Sequence, residues 1–288
     1  MTKIIVDSTS DLPDSIVEEY DIDVLPLRIY IEGEEYLDNI TITVDEVYDA
    51  MRKGLFPKTS QPNPKDTYEL FRKYASAGKN FIFYTISSKL SGTYETCHQI
   101  IQELKEEYPN VKMGIVDTKS GSLAIGLIVL QAAKMARKGI SYDEIVSVSN
   151  ENARYIEHIF TINDLSWLLK GGRISKGSAI IGGILDIKPI LDLQEGKIQV
   201  IRKVRGHKKL LMTVLDIVKQ RIKEFPNQMI GIAHADDLNN ALAMKEMIIE
   251  KLGNCNILIE KIGSVLGTHL GIGGVGVFFF NKKPEIYI

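Results

Sequence analysis

Side-chain hydroxyls gather at four places along this chain: Asp7-Ser8-Thr9-Ser10, Lys58-Thr59-Ser60, Ser87-Ser88-Lys89-Leu90-Ser91-Gly92-Thr93 and Asp117-Thr118-Lys119-Ser120-Gly121-Ser122. A Ser, Thr or Asp ahead of a helix usually caps it, accepting from amide donors that the first turn leaves open. That is the reading for Ser8, Ser10, Ser120 and Ser122. Thr59 and Ser91 are set apart, because hydroxyls beside free helical amides also hold a small anion or a carboxylate. Ser91 and His269 offer a second chemistry, nucleophile and base, although no carboxylate to orient the histidine can be named from the sequence.

Other combinations carry less. Gly271-Ile272-Gly273-Gly274-Val275-Gly276 matches the dinucleotide fingerprint in its glycine spacing, yet that fingerprint needs a strand before it and a helix after it. Residues 277–280 read as strand, so the run is taken as a glycine turn. His234-Ala235-Asp236-Asp237 has metal-binding residue types, but a strand end leading into a helix cap explains it, and no metal is assigned. Arg202, Lys203, Arg205, His207, Lys208 and Lys209 form one basic group, and Lys170, Arg173 and Lys176 form another around Gly171-Gly172. Each reads as a solvated face, with protein docking as the alternative. Phosphate-loop, nucleophile-elbow, HExxH and kinase signatures do not occur.

The elements that must position these residues repeat one grammar three times in the first half. A short apolar run (residues 3–6, 81–86 and 112–116) leads to a hydroxyl-rich tip and then to a helical period. This predicts parallel strands whose tips converge at the carboxyl edge of a sheet, where ligands bind in such folds. Between the first two units the reading gives strands over residues 24–31 about a Gly33 turn, a helix over 44–53, and a loop over 56–62 stiffened by Pro57 and Pro62. From about residue 159 the pattern changes. Residues 188–193 and 197–204 flank Gln194-Glu195-Gly196 as a hairpin, followed by helix 208–225, strand 229–233, helix 238–252, strand 257–262 and a final strand 275–280. The expected fold is α/β in two domains. Residues 1–155 form a parallel, three-layer Rossmann-like unit, and residues 156–288 an α+β unit with a mixed sheet.

At 288 residues, with 44% hydrophobic and 25% charged, the chain has an ordinary globular balance and should fold by burial. A net charge of −2 supplies no basic field, so nucleic-acid binding is not expected and membrane contact is at most transient. Cys97 and Cys255 are far apart and belong to no CxxC, which fits a reducing cytoplasm. The apolar run near the N-terminus stops at Asp7, too short for a signal peptide, and the segment over 124–136 falls short of a membrane span.

Six segments in order resemble the DegV family: Asp7-Ser8-Thr9-Ser10-Asp11-Leu12-Pro13, Lys58-Thr59-Ser60-Gln61-Pro62, Ile86-Ser87-Ser88-Lys89-Leu90-Ser91-Gly92-Thr93-Tyr94, Lys170-Gly171-Gly172-Arg173-Ile174, Lys203-Val204-Arg205-Gly206 and Ile262-Gly263-Ser264-Val265-Leu266-Gly267-Thr268-His269. The resemblance implies a carrier that holds one long-chain fatty acid in a tunnel. The carboxylate would lie at Thr59, Ser60, Ser91 and Gly92, with His269 beside it. It also implies a separate kinase subunit that uses ATP and Mg to phosphorylate that carboxylate for phospholipid synthesis, with Arg173, Arg202 and Arg205 as candidates for docking it. No catalytic residue and no cofactor other than the bound fatty acid is expected of the carrier. The alternative is a serine-dependent lipid hydrolase using Ser91 and His269.

Overall fold

The computed structural model describes residues 1–175, 187–253 and 255–288. Lys176 of the second basic group lies outside the described residues. The first half runs β1 (Lys3–Asp7), α1 (Asp14–Glu19), β2 (Asp23–Leu25), β3 (Arg28–Ile31), β4 (Glu34–Leu37), α2 (Val44–Arg52), β5 (Lys58–Ser60), α3 (Pro64–Ser76), β6 (Phe81–Thr85), α4 (Thr93–Glu107), β7 (Met113–Asp117), α5 (Leu123–Arg137) and α6 (Tyr142–Tyr155). The second runs β8 (Ile156–Thr161), α7 (Ser166–Lys170), β9 (Ile187–Gln194), β10 (Lys197–Arg205), α8 (His207–Arg221), β11 (Met229–His234), α9 (Leu238–Leu252), β12 (Asn256–Lys261), α10 (Ser264–Leu270) and β13 (Val275–Phe280).

Three sheets result. One is parallel throughout, in the order β2-β1-β6-β7. Its two central strands, β1 and β6, are buried on both faces, as parallel strands covered by helices must be. Ile4, Val6, Ile82 and Tyr84 point into the core shared with α5, while Ile5, Phe81 and Phe83 point the other way, toward Phe71 of α3 and Cys97 of α4. That alternation makes the unit three-layered.

A mixed six-stranded sheet follows the order β10-β9-β8-β13-β11-β12, antiparallel except between β11 and β12. Val275, Val277 and Phe279 of β13 face α8 and α9, whereas Phe278 and Phe280 face α5. The third sheet, β4-β3-β5, is small and antiparallel. It corrects the expectation of a loop over residues 56–62. Pro57 and Pro62 flank a three-residue strand whose N–H groups pair with β3, so the prolines sit where no ladder bond is needed.

Helix α5 is the shared wall. All its residues except Lys134 and Arg137 are buried, because it packs on β1 and β6 of the parallel sheet and on β8, β11 and β13 of the mixed one. A helix apolar on every side is stable only with neighbours on every side.

The hydroxyl tips do less capping than expected. Ser8 Oγ accepts from Leu27 N–H at 3.1 Å, Ser120 Oγ donates to Thr118 O at 2.8 Å, and Ser122 Oγ donates to Asp11 Oδ2 at 2.5 Å. Ser122 ties its tip to the first one, Ser8 holds the segment after β2, and Ser120 braces its own turn. Asp7 takes the capping role, accepting from Thr9 N–H at 3.0 Å with one oxygen and from Ile86 N–H at 2.7 Å with the other.

Candidate functional site

Thr59 lies at the centre of β5, opposite Ile29 of β3, and its Oγ1 stands 2.8 Å from Nε2 of His269. His269 projects from the last turn of α10, a helix the sequence reading did not foresee. Two contacts hold α10 at its start: Gly263 N–H donates to Asp11 Oδ1 at 3.0 Å, and the Tyr48 hydroxyl donates to Ile262 O at 3.1 Å. Tyr48 also lies flat against Gly267, where a Cβ would stand 2.6 Å from the phenolic oxygen. The imidazole is tightly walled as well, since a Cβ on Gly171 would stand 2.3 Å from its Nδ1. That nitrogen is buried with no partner among the described residues. Burial, with the Arg173 charge adding to it, pushes the His269 pKa down to about 4, so the ring is neutral at ordinary pH.

Ser91 and Gly92 form the entry to α4. Ser91 Oγ is 2.9 Å from Thr93 Oγ1 and accepts from Thr93 N–H at 3.3 Å. Gly92 contributes no capping side chain, and the amide of Gln61 lies over it. Ser60 Oγ donates to Gln61 O at 3.3 Å. Thr59, Ser60, Gln61, Ser91, Gly92 and His269 all line one cavity of about 130 Å³, backed by Leu27, Ile86 and Val265. The structure thus brings together every carboxylate-site candidate.

The cavity continues inward. Leu90, Ile198, Leu266 and Leu270 are walls both of this chamber and of a second one of about 60 Å³, lined by Phe160, Ile162, Leu193, Val275 and Phe278. Among the described residues, His158 is the one ionisable side chain on the second chamber's walls. On the other side a groove of about 360 Å³, bordered by Phe56, Lys58, Trp167 and Lys170, shares Thr59, Arg173 and His269 with the first. The polar chamber and the groove meet at Thr59 and His269, and the apolar chamber joins the polar one at Leu90, Ile198, Leu266 and Leu270.

The basic candidates separate. Arg173 is a wall of the polar chamber, with Nε donating to Leu90 O at 3.1 Å and Nη1 to Gly171 O at 2.5 Å. Arg202 and Arg205 are exposed on β10, away from the cavity walls, with Arg202 at a register shift in the ladder. Lys170 Nζ stands 3.7 Å from the centre of the Phe56 ring. Gln61 and His158 were missed. Gln61 stands inside a segment already singled out, while nothing in the spacing of His158 marks it.

The remaining motifs resolve locally. The glycine run ends α10 and opens β13, with no helix following, so the dinucleotide context is absent. Asp237 caps α9 by accepting from Asn240 N–H, and Asp236 pairs with Arg52 and Lys261. Among the described residues no group of three or more His, Cys, Asp or Glu is placed to hold a metal, and no helix is long and apolar enough to cross a membrane. Ser91 and His269 have different hydrogen-bond partners, and no carboxylate among the described residues orients the imidazole.

Fold and site together define an α/β protein with an internal cavity between two sheets, hydroxyl-lined at one end and apolar at the other. A family described as "Uncharacterised protein, DegV family" matches residues 1–282. A DegV domain-containing protein of Clostridium perfringens is 40% identical over 285 residues, covering 98% of each chain. Among solved structures, a fatty-acid-binding DegV family protein from Thermus thermophilus superposes with TM-score 0.89 at 28% identity, over 97% of this chain and 99% of that one. A fatty-acid-binding DegV family protein from Streptococcus agalactiae gives 0.87 at 34%, over 98% and 99%. A stearic-acid-binding protein from Eubacterium ventriosum gives 0.88 at 27%, over 96% and 97%. The chain belongs to the DegV family.

Proposed function

We propose that this protein is a non-catalytic carrier that buries one long-chain fatty acid and presents its carboxylate to a separate, ATP-dependent kinase subunit, in the cytoplasm, for use in phospholipid synthesis. The N-terminal unit, residues 1–155, supplies Thr59 and Ser91; the C-terminal unit, residues 156–288, supplies His269 and most of the apolar chamber. The observation that carries this reading is the pair of adjoining chambers, hydroxyl-bearing where Thr59, Ser91 and His269 meet and apolar where Phe160 and Phe278 meet. Fatty acid binding by the related Thermus and Streptococcus proteins, and stearic acid binding by the Eubacterium protein, support it.

The physical division of labour is unequal. Burying about sixteen methylenes at roughly 0.8 kcal/mol each gives a gross gain on the order of 13 kcal/mol before ordering costs. Two hydroxyl donors at about 0.5–1.5 kcal/mol each mainly fix where the head lies. Of the two neutral forms of His269, the one with its proton on Nε2 donates to Thr59 Oγ1 and leaves the Thr59 proton to point at the carboxylate. It also leaves only a lone pair, not an N–H, unpaired at Nδ1. Arg173, on the wall of the same chamber, gives two of its five N–H donors to backbone carbonyls; in this reading the head rests on the neutral donors Thr59 and Ser91, which leave it the basicity needed to attack a phosphoryl group. Arg202 and Arg205, exposed on β10, remain the docking candidates for the kinase.

Native mass spectrometry of the protein purified from cells tests the carrier. One co-purifying long-chain fatty acid per chain is expected. An empty protein that turns over an ester instead would favour the serine hydrolase.

A further inference from the structure

We propose that His158 recognises a hydroxyl group carried along the acyl chain, so that the carrier accepts hydroxylated long-chain acids as preferred cargo. The inference rests on the carrier reading and specifies its ligand.

His158 sits on β8 and is 4% exposed. Neither ring nitrogen has a hydrogen-bond partner among the described residues. Its ring meets Phe278 edge-on, with centroids 5.9 Å apart and planes at 86°. It forms part of the wall of the apolar chamber, where Phe160, Ile162, Leu193 and Val275 would be equally well served by a leucine or a phenylalanine. An unpaired buried imidazole is costly, and such a group is held in a fold either by a water or by a ligand that completes it.

The chemistry of the chamber narrows the choice. Among the described residues no Lys or Arg lines it, so a second carboxylate or a phosphate there would be a buried charge without a described partner. A single imidazole with no further His, Cys, Asp or Glu beside it among the described residues is not a metal site. Burial pushes the ring's pKa down to about 3, which keeps one N–H donor and one lone pair available at any ordinary pH. A neutral group that both donates and accepts is the complement, and on an acyl chain that group is an alcohol. Thr161 and Ser122 border the same chamber, but Ser122 donates to Asp11 and Thr161 Oγ1 accepts from Val275 N–H at 3.3 Å. The imidazole is the group left unsatisfied.

Competition binding on delipidated full-length protein tests this, using stearic acid against a series of its monohydroxy isomers that differ in hydroxyl position. In the wild type, at least one isomer should bind better relative to stearic acid than it does in His158→Phe or His158→Leu. The expected change in that ratio is about tenfold, the weight of one buried hydrogen bond. The same isomer, and not stearic acid, should shift the His158 ring-nitrogen resonances of ¹⁵N-histidine-labelled wild type, a readout that does not depend on the variants folding. A ratio unchanged across the whole series, or ring resonances indifferent to every isomer, overturns the assignment and leaves His158 a buried group satisfied by water. Stearic acid binding without hydroxyl preference defeats His158 alone, whereas failure to bind any of the acids defeats the carrier as well.

Discussion

Thr59 and His269 meet across 210 positions of chain, and their 2.8 Å contact is the joint on which the polar end of the cavity depends. If hydroxyls position the head while the chamber retains the tail, the double variant Thr59→Ala, Ser91→Ala should fold normally. It should lose phosphoryl acceptance from the kinase far more than it loses bound lipid. Equal loss of both, measured by lipid mass and by acyl-phosphate formation, would contradict that division. His158 supplies an independent check through stability. Its folded pKa lies near 3, below the ordinary histidine value, so the unfolded chain takes up a proton first as pH falls below about 6.5. The group's contribution is therefore complete above that pH and lost on acidification. Relative to His158→Phe, wild-type unfolding free energy should fall by about 1.4 kcal/mol per pH unit between roughly pH 6 and pH 4. Denaturant titrations of both proteins at several pH values measure it, and parallel curves would count against a neutral buried ring. Residue types announced the hydroxyls and His269, since their chemistry is visible in the letters. His158 was not legible, because a histidine in a strand shows what surrounds it only after the strands have been paired.

Regular elements with strong periodicity were readable, and short ones were not. The three strand-tip-helix units and the hairpin at Glu195-Gly196 follow from local pattern. Helix α10 escaped notice because Gly263, Gly267 and Gly271 read as breakers, whereas Gly267 serves a close approach to Tyr48 that local propensity cannot register. Strand β5 has no local signature because its pairing to β3 is set by chain far from it. Gly267→Ala tests how much α10 relies on that approach. The added methyl has to push Tyr48 aside and weaken its bond to Ile262 O, at a cost of about 1–3 kcal/mol. Both a lower melting temperature and weaker ligand binding are expected. A variant as stable as wild type, with binding intact, would mean that Asp11 at Gly263 is anchor enough.

At the scale of the whole molecule, residues from both halves enclose the cavity, and contacts across them are numerous. Lys261 pairs with Asp45, Ser87 Oγ donates to Gly196 O at 2.8 Å, and Lys119 Nζ reaches Glu195 Oε2 at 3.0 Å. Composition and charge could not foretell this. They bounded the class of protein, while the meeting of two sheets over one helix depends on pairings hundreds of residues apart.

Because α5 is packed from both sides, the molecule has no seam along which to swing apart. Parting the sheets would wet most of an apolar helix, so a clamshell opening is the most expensive route into the interior. A fatty acid carried as proposed would then enter at the rim, past the β9–β10 hairpin tip held by Ser87 Oγ on Gly196 O and the contact of Phe56 with Trp167. Small-angle scattering should record the same radius of gyration for filled and emptied protein. An expansion on emptying of the kind that hinged binding proteins undergo would mean that the two sheets do come apart.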